Sequence, residues 1–323
     1  MFTVMSWNVE NLFVPEAAQR EAYEAKIAAL AAVVQGVAPD LLGVQEIGDP
    51  ESFEALRVAL AGGAPAGGGS GGEWHGELST RFEGGHAIRV GWLSPRPLTD
   101  VQQVSRLPEG LRGVKVDDDG TRIDAMPRGA LAVTATTADG TPVRALTAHL
   151  KSKLLSFPDG RFSTHDEGER ARVAVYALDR RAAEAATLRA WATAALEAGD
   201  AGGRVVVCGD LNDTSEAATT QLIYGPPGSQ LGTGGFDHPD QGDTQRLWDT
   251  GYAMSPPDNW SRENEGRQEL IDHVLVSHAL VGSLQSARTV PLEVPSIGVQ
   301  PRTAPRVTPA PSDHRPVVAT FDV

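Results

Sequence analysis

Five short polar strings close apolar runs in this chain: Ser6-Trp7-Asn8-Val9-Glu10, Val44-Gln45-Glu46, Ala148-His149-Leu150-Lys151, Cys208-Gly209-Asp210-Leu211-Asn212 and Ser312-Asp313-His314. A sixth, Leu270-Ile271-Asp272-His273, opens one. Carboxylates, carboxamides and imidazoles cost free energy to bury without partners. Their recurrence at strand ends makes sense if those ends meet in one polar cleft. The inventory suits a hard divalent cation, groups that activate water, and groups that hold a phosphate.

Glu46 ends an apolar strand and reads alone as a surface carboxylate. With Asn8, Glu10 and Asp313 it reads as part of an oxygen-ligand site. Mg²⁺ takes few ligands from protein and keeps several waters, so one or two carboxylates suffice. Asp210 and Asn212 lie two apart and share a face if the strand continues past Cys208. The acid then orients water while the amide holds a phosphoryl oxygen; the alternative is an Asx turn closing the strand. His314 follows Asp313, and Asp272 offers a carboxylate that fixes an imidazole tautomer and raises its basicity. His149, followed by Lys151, is a second imidazole beside a strand end. His273 alternates away from Asp272 and reads as structural.

The elements that position these groups are legible as periodicities. Thr3–Val9 is the first strand. Glu16–Val37 is helical, with Ile27, Leu30, Val34 and Val37 in one stripe and Glu21, Glu24 and Lys26 off it. Leu41–Gln45 is a strand and Ser52–Leu60 a short helix. Strand-like runs follow at His86–Leu93, Ala130–Thr136, Val143–His149, Val205–Cys208, Leu270–Val276 and Pro316–Phe321. Ala174–Leu196 is a second alanine-rich helix. Residues 61–72 read as a flexible Gly-rich surface loop, 225–242 as Gly/Pro-rich loop, and 291–311 as a proline-rich approach to the last strand. Two halves echo each other, each with strands, one long helix and more strands. Two sheets face to face with helices outside fit this better than a simple βα alternation.

Taken together, the strings resemble the endonuclease/exonuclease/phosphatase superfamily. The matching segments are Ser6-Trp7-Asn8-Val9-Glu10-Asn11-Leu12, Gln45-Glu46, His149-Leu150, Gly209-Asp210-Leu211-Asn212, Ile271-Asp272-His273-Val274 and Ser312-Asp313-His314-Arg315-Pro316. They occur in family order and span residues 3 to 321. The resemblance implies a four-layer α/β sandwich formed by 1–323 as a single domain, with two mixed sheets packed face to face. It also implies phosphoester hydrolysis dependent on Mg²⁺ or Mn²⁺. By that resemblance Glu46 is the principal metal ligand, with Asn8 or Glu10 and Asp313 assisting. Asp210 aligns the attacking water, and Asn212 and Asn8 hold phosphate or site geometry. Asp272 pairs with His314, which contacts phosphate or moves a proton. His149 stabilises the pentavalent state or protonates the leaving oxygen. Glu10 stands where many members carry Asp, which puts its direct contact with metal in doubt. His149 stands where apurinic endonucleases carry Tyr, which resembles the deoxyribonuclease and sphingomyelinase branches; the Asn8-Val9-Glu10-Asn11-Leu12-Phe13 opening and the His149-Leu150-Lys151-Ser152-Lys153 string resemble bacterial nuclease-type members.

Composition bounds the readings. The net charge of −14, from 42 acidic and 28 basic residues, opposes indiscriminate binding to phosphate backbones. The single Cys208 excludes an internal disulfide. No apolar stretch reaches the ~20 residues that span a bilayer. Met1 runs straight into the first strand with no visible leader, which reads as cytoplasmic, or as secreted if a leader has been removed. The first functional reading is a metal-dependent phosphodiesterase, a nuclease on DNA or RNA. Lys151, Lys153, Arg161, Arg170 and Arg172 follow His149 and read either as phosphate contacts or as a solvated charged loop; Trp260, Arg262 and Arg267 precede the Asp272 strand, and Lys151 and Arg262 are the candidate phosphate contacts. The second reading is a lipid or inositol phosphate substrate, ranked lower because no membrane-binding segment is evident. The third is a binding protein on an inactive scaffold, disfavoured by the complete set of polar groups. No obligatory protein partner is evident.

Overall fold

The computed structural model describes residues 1–62, 72–80, 88–157, 160–226, 228, 231, 244–298 and 311–323. Most of the Gly-rich segment 61–72, and parts of 225–242 and 291–311, lie outside them. In chain order the strands are β1 Phe2–Leu12, β2 Leu41–Ile47, β3 His75–Leu78, β4 Arg89–Ser94, β5 Thr99–Arg106, β6 Val114–Lys115, β7 Arg122–Ile123, β8 Ala125–Thr136, β9 Pro142–His149 and β10 Val205–Asp210. They continue with β11 Leu247–Asp249, β12 Arg262–Asn264, β13 Arg267–Glu269, β14 Asp272–Ser277, β15 Leu284–Thr289 and β16 Val317–Phe321. The helices are α1 Arg20–Val37, α2 Pro50–Gly62, α3 Glu167–Ala198, α4 Ala218–Tyr224 and α5 His278–Val281.

Two six-stranded sheets form among the described residues, in the orders β15-β16-β1-β2-β4-β3 and β11-β14-β10-β9-β8-β5. Each has one parallel pair at its centre, β1–β2 in one and β9–β10 in the other, flanked by antiparallel strands. A parallel pair requires a crossover. Here α1 crosses from β1 to β2 and α3 from β9 to β10, so the two halves repeat one plan. β6–β7 and β12–β13 form separate two-stranded ribbons.

Three apolar clusters stack the layers. Ile27, Leu30, Ala31 and Val34 seat α1, with Phe53 and Leu56 of α2, on one sheet. Ala185, Leu188 and Trp191 seat α3 on the other. Between the sheets Phe2, Val4, Leu41 and Trp92 meet Leu131, Ala145, Val206, Cys208 and Val274. The result is the four-layer α/β sandwich expected from sequence. Val205 to Cys208 are buried on both faces, as a continuous apolar run in a central strand should be. Toward the strand ends the inter-sheet contacts turn polar: Gln45 Nε2 donates to Thr147 Oγ1 at 3.0 Å across the interface. No helix among the described residues is long and apolar enough to cross a membrane.

Two of the elements missed by periodicity are polar sheet edges. β5 carries five exposed residues in succession, and half of β15 is exposed. Neither shows the alternation that marks a strand with one buried face.

Candidate active site

The carboxyl ends of the two parallel pairs point the same way, and the polar strings sit there. Register does the first part of the work. Asp210 is the Cα partner of His149 on β9 and of Asp272 on β14. The strand reaches that position through Gly209, whose φ is +142°. A Cβ there would lie 1.9 Å from the Ala148 carbonyl oxygen, so the residue before the acid must be glycine. Asp210 Oδ1 then accepts from the Asn212 N–H at 2.9 Å. Asn212 is left-handed, φ 56°, and its Nδ2 donates to Leu150 O at 3.0 Å. The strand ends at Asp210, so the Asx-turn alternative is the one seen, and the Asn212 amide is held by the backbone.

Asp210 Oδ2 is the meeting point of both sheets. Asn8 Nδ2, from β1, donates to it at 3.0 Å. His149 Nε2 lies at 3.3 Å and His314 Nε2 at 4.0 Å. Burial first, and then the facing charge of Asp272, raises the Asp210 carboxyl to about 6 despite His314 and Asn8. The His314 ring is held from behind, with Nδ1 2.7 Å from Asp272 Oδ2. Burial opposes its charged form, but Asp272, Asp210 and Asp313 outweigh burial and raise it to about 10. The facing acids thus favour the charged form of the His314 ring. The atoms of Asp210, Asp272 and His314 that could ligate a metal lie within 4.8 Å of one another, so two acids and an imidazole form one tight buried cluster.

The oxygen donors gather on the other side of Asn8. Its Nδ2 also donates to Glu46 Oε1 at 3.1 Å, so the Glu46 and Asp210 carboxylates share one amide. Glu46 Oε2 accepts from the Asn11 N–H at 2.8 Å. Glu10, Asn11 and Glu46 are all left-handed, with φ of 52°, 46° and 66°; such backbone costs about 1 kcal/mol or more per residue and clusters at functional sites. The Glu10 N–H binds Asn8 Oδ1 at 3.0 Å, and its carbonyl accepts from Lys26 Nζ. Asp313 approaches His314 Nε2 at 3.9 Å. Asp313 and Glu46 both act on Lys26, and with Asp210 they supply carboxylate oxygens of the kind a hard divalent cation such as Mg²⁺ or Mn²⁺ takes; Asn8, expected as a ligand, instead turns its NH₂ to Glu46 and Asp210. Glu10 is seen here through its backbone, shaping the turn that supports Glu46.

The expected substrate cations separate. Arg262 bridges antiparallel to His314, and its charge reaches Asp210. Its Nε is buried without a hydrogen-bond partner. Lys151 is buried, and its ammonium turns to the carbonyls of Ser152 and Leu154 at 3.1 and 2.5 Å. Lys153 pairs with Asp213, Arg161 with Glu169, Arg170 with Glu167 and Arg172 with Asp118, each at 2.7–3.0 Å. His273 is locked at both nitrogens, 3.1 Å from Asp249 Oδ2 and 2.9 Å from Asp213 O, as a structural histidine.

Two cations escaped the sequence reading. Lys26 leaves the polar face of α1 and reaches the site, where burial lowers it to about 8 against the opposing charges of Asp313 and Glu46. Arg128, on β8, donates to the Leu150 carbonyl at 2.9 Å, the same oxygen that Asn212 holds. Only tertiary packing distinguishes either from an ordinary surface charge.

The model of the Endonuclease/Exonuclease/phosphatase family matches residues 5–314. No curated protein matches the chain. Solved structures share the fold at low identity. Truncated TDP2 of Caenorhabditis elegans superposes with a TM-score of 0.56 at 16% identity, covering 100% of this chain and 97% of that one. A variant of the 3′ phosphatase NExo from Neisseria, bound to a product DNA hairpin, gives 0.53 at 19%, with both chains covered fully. TDP2 of D. rerio, complexed with single-strand DNA product, gives 0.53 at 12%, covering 100% and 99%.

Proposed function

The chain belongs to the endonuclease/exonuclease/phosphatase family, whose enzymes are hydrolases of phosphoester bonds, and we propose that this member is a Mg²⁺- or Mn²⁺-dependent phosphodiesterase acting on nucleic acid. The observation that carries the reading is the convergence on Asp210 Oδ2. Asn8 from one sheet and His149 from the other meet it, with His314 behind and Glu46 beside. In-line hydrolysis needs a base for water, donors for the phosphoryl oxygens and relief of developing charge.

Glu46 would hold the cation, with Asp210 and Asp313 as further carboxylate ligands and Asn8 positioning Glu46 and Asp210. Such an ion, when bound, neutralises charge on the phosphoryl oxygens. Asp210 orients the attacking water and takes its proton. A carboxyl raised toward neutrality is suited to that task. His314 and Arg262 present positive charge to the phosphate. His149 Nε2, facing the same oxygen, donates to the phosphoryl or leaving oxygen. The solved neighbours that bind DNA products support a nucleic-acid substrate.

The test is a substrate panel of plasmid, single-stranded DNA, RNA, sphingomyelin and inositol phosphates, with and without Mg²⁺. Metal-dependent cleavage of nucleic acid alone is expected. Selective turnover of the lipid or inositol phosphates would replace the nucleic-acid substrate. Absence of any metal-dependent turnover would leave a binding protein.

A further inference from the structure

Of the Phe, Tyr and Trp side chains among the described residues, only Phe13 and Phe162 are exposed, at 37% and 49%. Both sit on segments leaving catalytic strands, one from β1 and the other beyond β9. Phe13 is the better defined. It follows the left-handed Glu10-Asn11 turn, and Asn11 grips Glu46. Its ring lies against the backbone of Gly48: a Cβ on Gly48 would meet ring carbons at 2.0–2.4 Å. Gly48 in turn donates its N–H to Leu12 O at 2.8 Å. The ring is therefore two residues from a Glu46 contact along each of two strands. The Gly48 backbone supports it, and part of its surface remains open to solvent.

We propose that Phe13 is a stacking platform for the heterocyclic base of the nucleotide that carries the scissile phosphate. The inference rests on the phosphodiesterase reading and narrows its substrate to one with a flat aromatic group beside the phosphate. A ring supported from behind loses little entropy on binding, and every base offers it a π-face.

The experiment uses two short oligonucleotides with one hydrolysable linkage, flanked by a base or by a tetrahydrofuran abasic residue. Wild type, Phe13→Ala and Phe13→Trp are compared by kcat/KM in Mg²⁺ and by fluorescence anisotropy in Ca²⁺, with melting curves to check folding. Base–aromatic stacking is worth roughly 1–3 kcal/mol, so wild type should prefer the base-bearing strand by about tenfold. That preference should fall toward unity in Phe13→Ala, mainly through KM, and persist in Phe13→Trp. Equal handling of both strands by wild type overturns the platform, as does a preference unchanged in a folded Phe13→Ala. A preference seen in binding and lost in Phe13→Ala, without turnover on either strand, keeps the platform and removes the hydrolase reading.

Discussion

Replacing Asp272 by Asn removes a charge while keeping the shape of the residue behind His314. His314 stands at about 10 against an ordinary 6.5, and each tenfold step is worth about 1.4 kcal/mol. Its acidic surroundings thus favour the imidazolium by up to about 5 kcal/mol. Because the folded value is raised, this stabilisation is complete below about pH 6.5 and is lost as pH climbs through about 10. Without the Asp272 charge, burial is opposed only by Asp210 and Asp313, and His314 falls toward its ordinary 6.5. At 6.5 about 3% of the ring stays protonated at pH 8 and about a quarter at pH 7. Turnover should therefore drop by up to about 30-fold at pH 8 and up to about fourfold at pH 7, recovering toward pH 6. Saturating kcat against pH on a synthetic phosphodiester, with Mg²⁺ fixed, reads this. ¹⁵N-histidine spectra report the His314 protonation state directly. A wild-type-to-variant ratio that stays flat from pH 6 to 9 would refute the electrostatic role, as would a wild-type ring found neutral at pH 8.

Glu46→Gln should raise the Mg²⁺ concentration for half-activation by about tenfold or more, since second carboxylates and supports at metal sites are worth factors of this size; an unchanged Mg²⁺ titration would remove Glu46 from the metal. Asp210→Asn should lower kcat by about 10²–10⁴-fold with KM within about threefold, and the reverse pattern in steady-state kinetics would make Asp210 a binding group. Gly209→Ala places a methyl against the Ala148 carbonyl at a φ of +142°. It should destabilise by at least about 2 kcal/mol, seen as a Tm lower by about 3 °C or more; an unchanged melting curve would show that the strands part easily.

What the sequence reveals depends on whether a residue's surroundings are local. Val205 to Cys208 read as a buried strand, and Asp210 stands two residues beyond because apolar run, glycine and carboxylate are contiguous. α1 reads from helical spacing and the 174–196 part of α3 from its alanine content, and the polar strings point to a shared edge. The helical pattern places Lys26 off the stripe and thus toward solvent. Only the crossover from β1 to β2 brings it back over Glu10. Arg161, Arg170 and Arg172 look like phosphate contacts in a row, yet α3 and the β6–β7 ribbon bring them carboxylates. The left-handed backbone of Glu10, Asn11 and Glu46 is equally hidden from the sequence. A sequence gives residue types, while left-handed turns arise from the tertiary hydrogen bonds that over-determine them.

The centre is a costly arrangement, and its cost explains its composition. Antiparallel register sets Asp210 opposite Asp272, two carboxylates in a buried layer where both ionised forms repel. Asp272 is fully buried, and its Oδ1 has no hydrogen-bond partner. The His314 imidazolium lies between the acids, 2.7 Å from one and 4.0 Å from the other, and supplies the opposite charge that register alone would deny them. Ser312 fixes that ring in place, donating to Asn8 O at 2.6 Å and accepting the His314 N–H at 3.0 Å. The C-terminal string is thereby tied to β1, the strand that also delivers Asn8 to Glu46 and Asp210. Removing the His314 charge would return the repulsion to the Asp210–Asp272 pair and push Asp210 further up, away from the ionised form that accepts a proton from water. The base and the imidazolium are therefore coupled, and loss of His314 should impair Asp210 as well as the contact His314 makes itself.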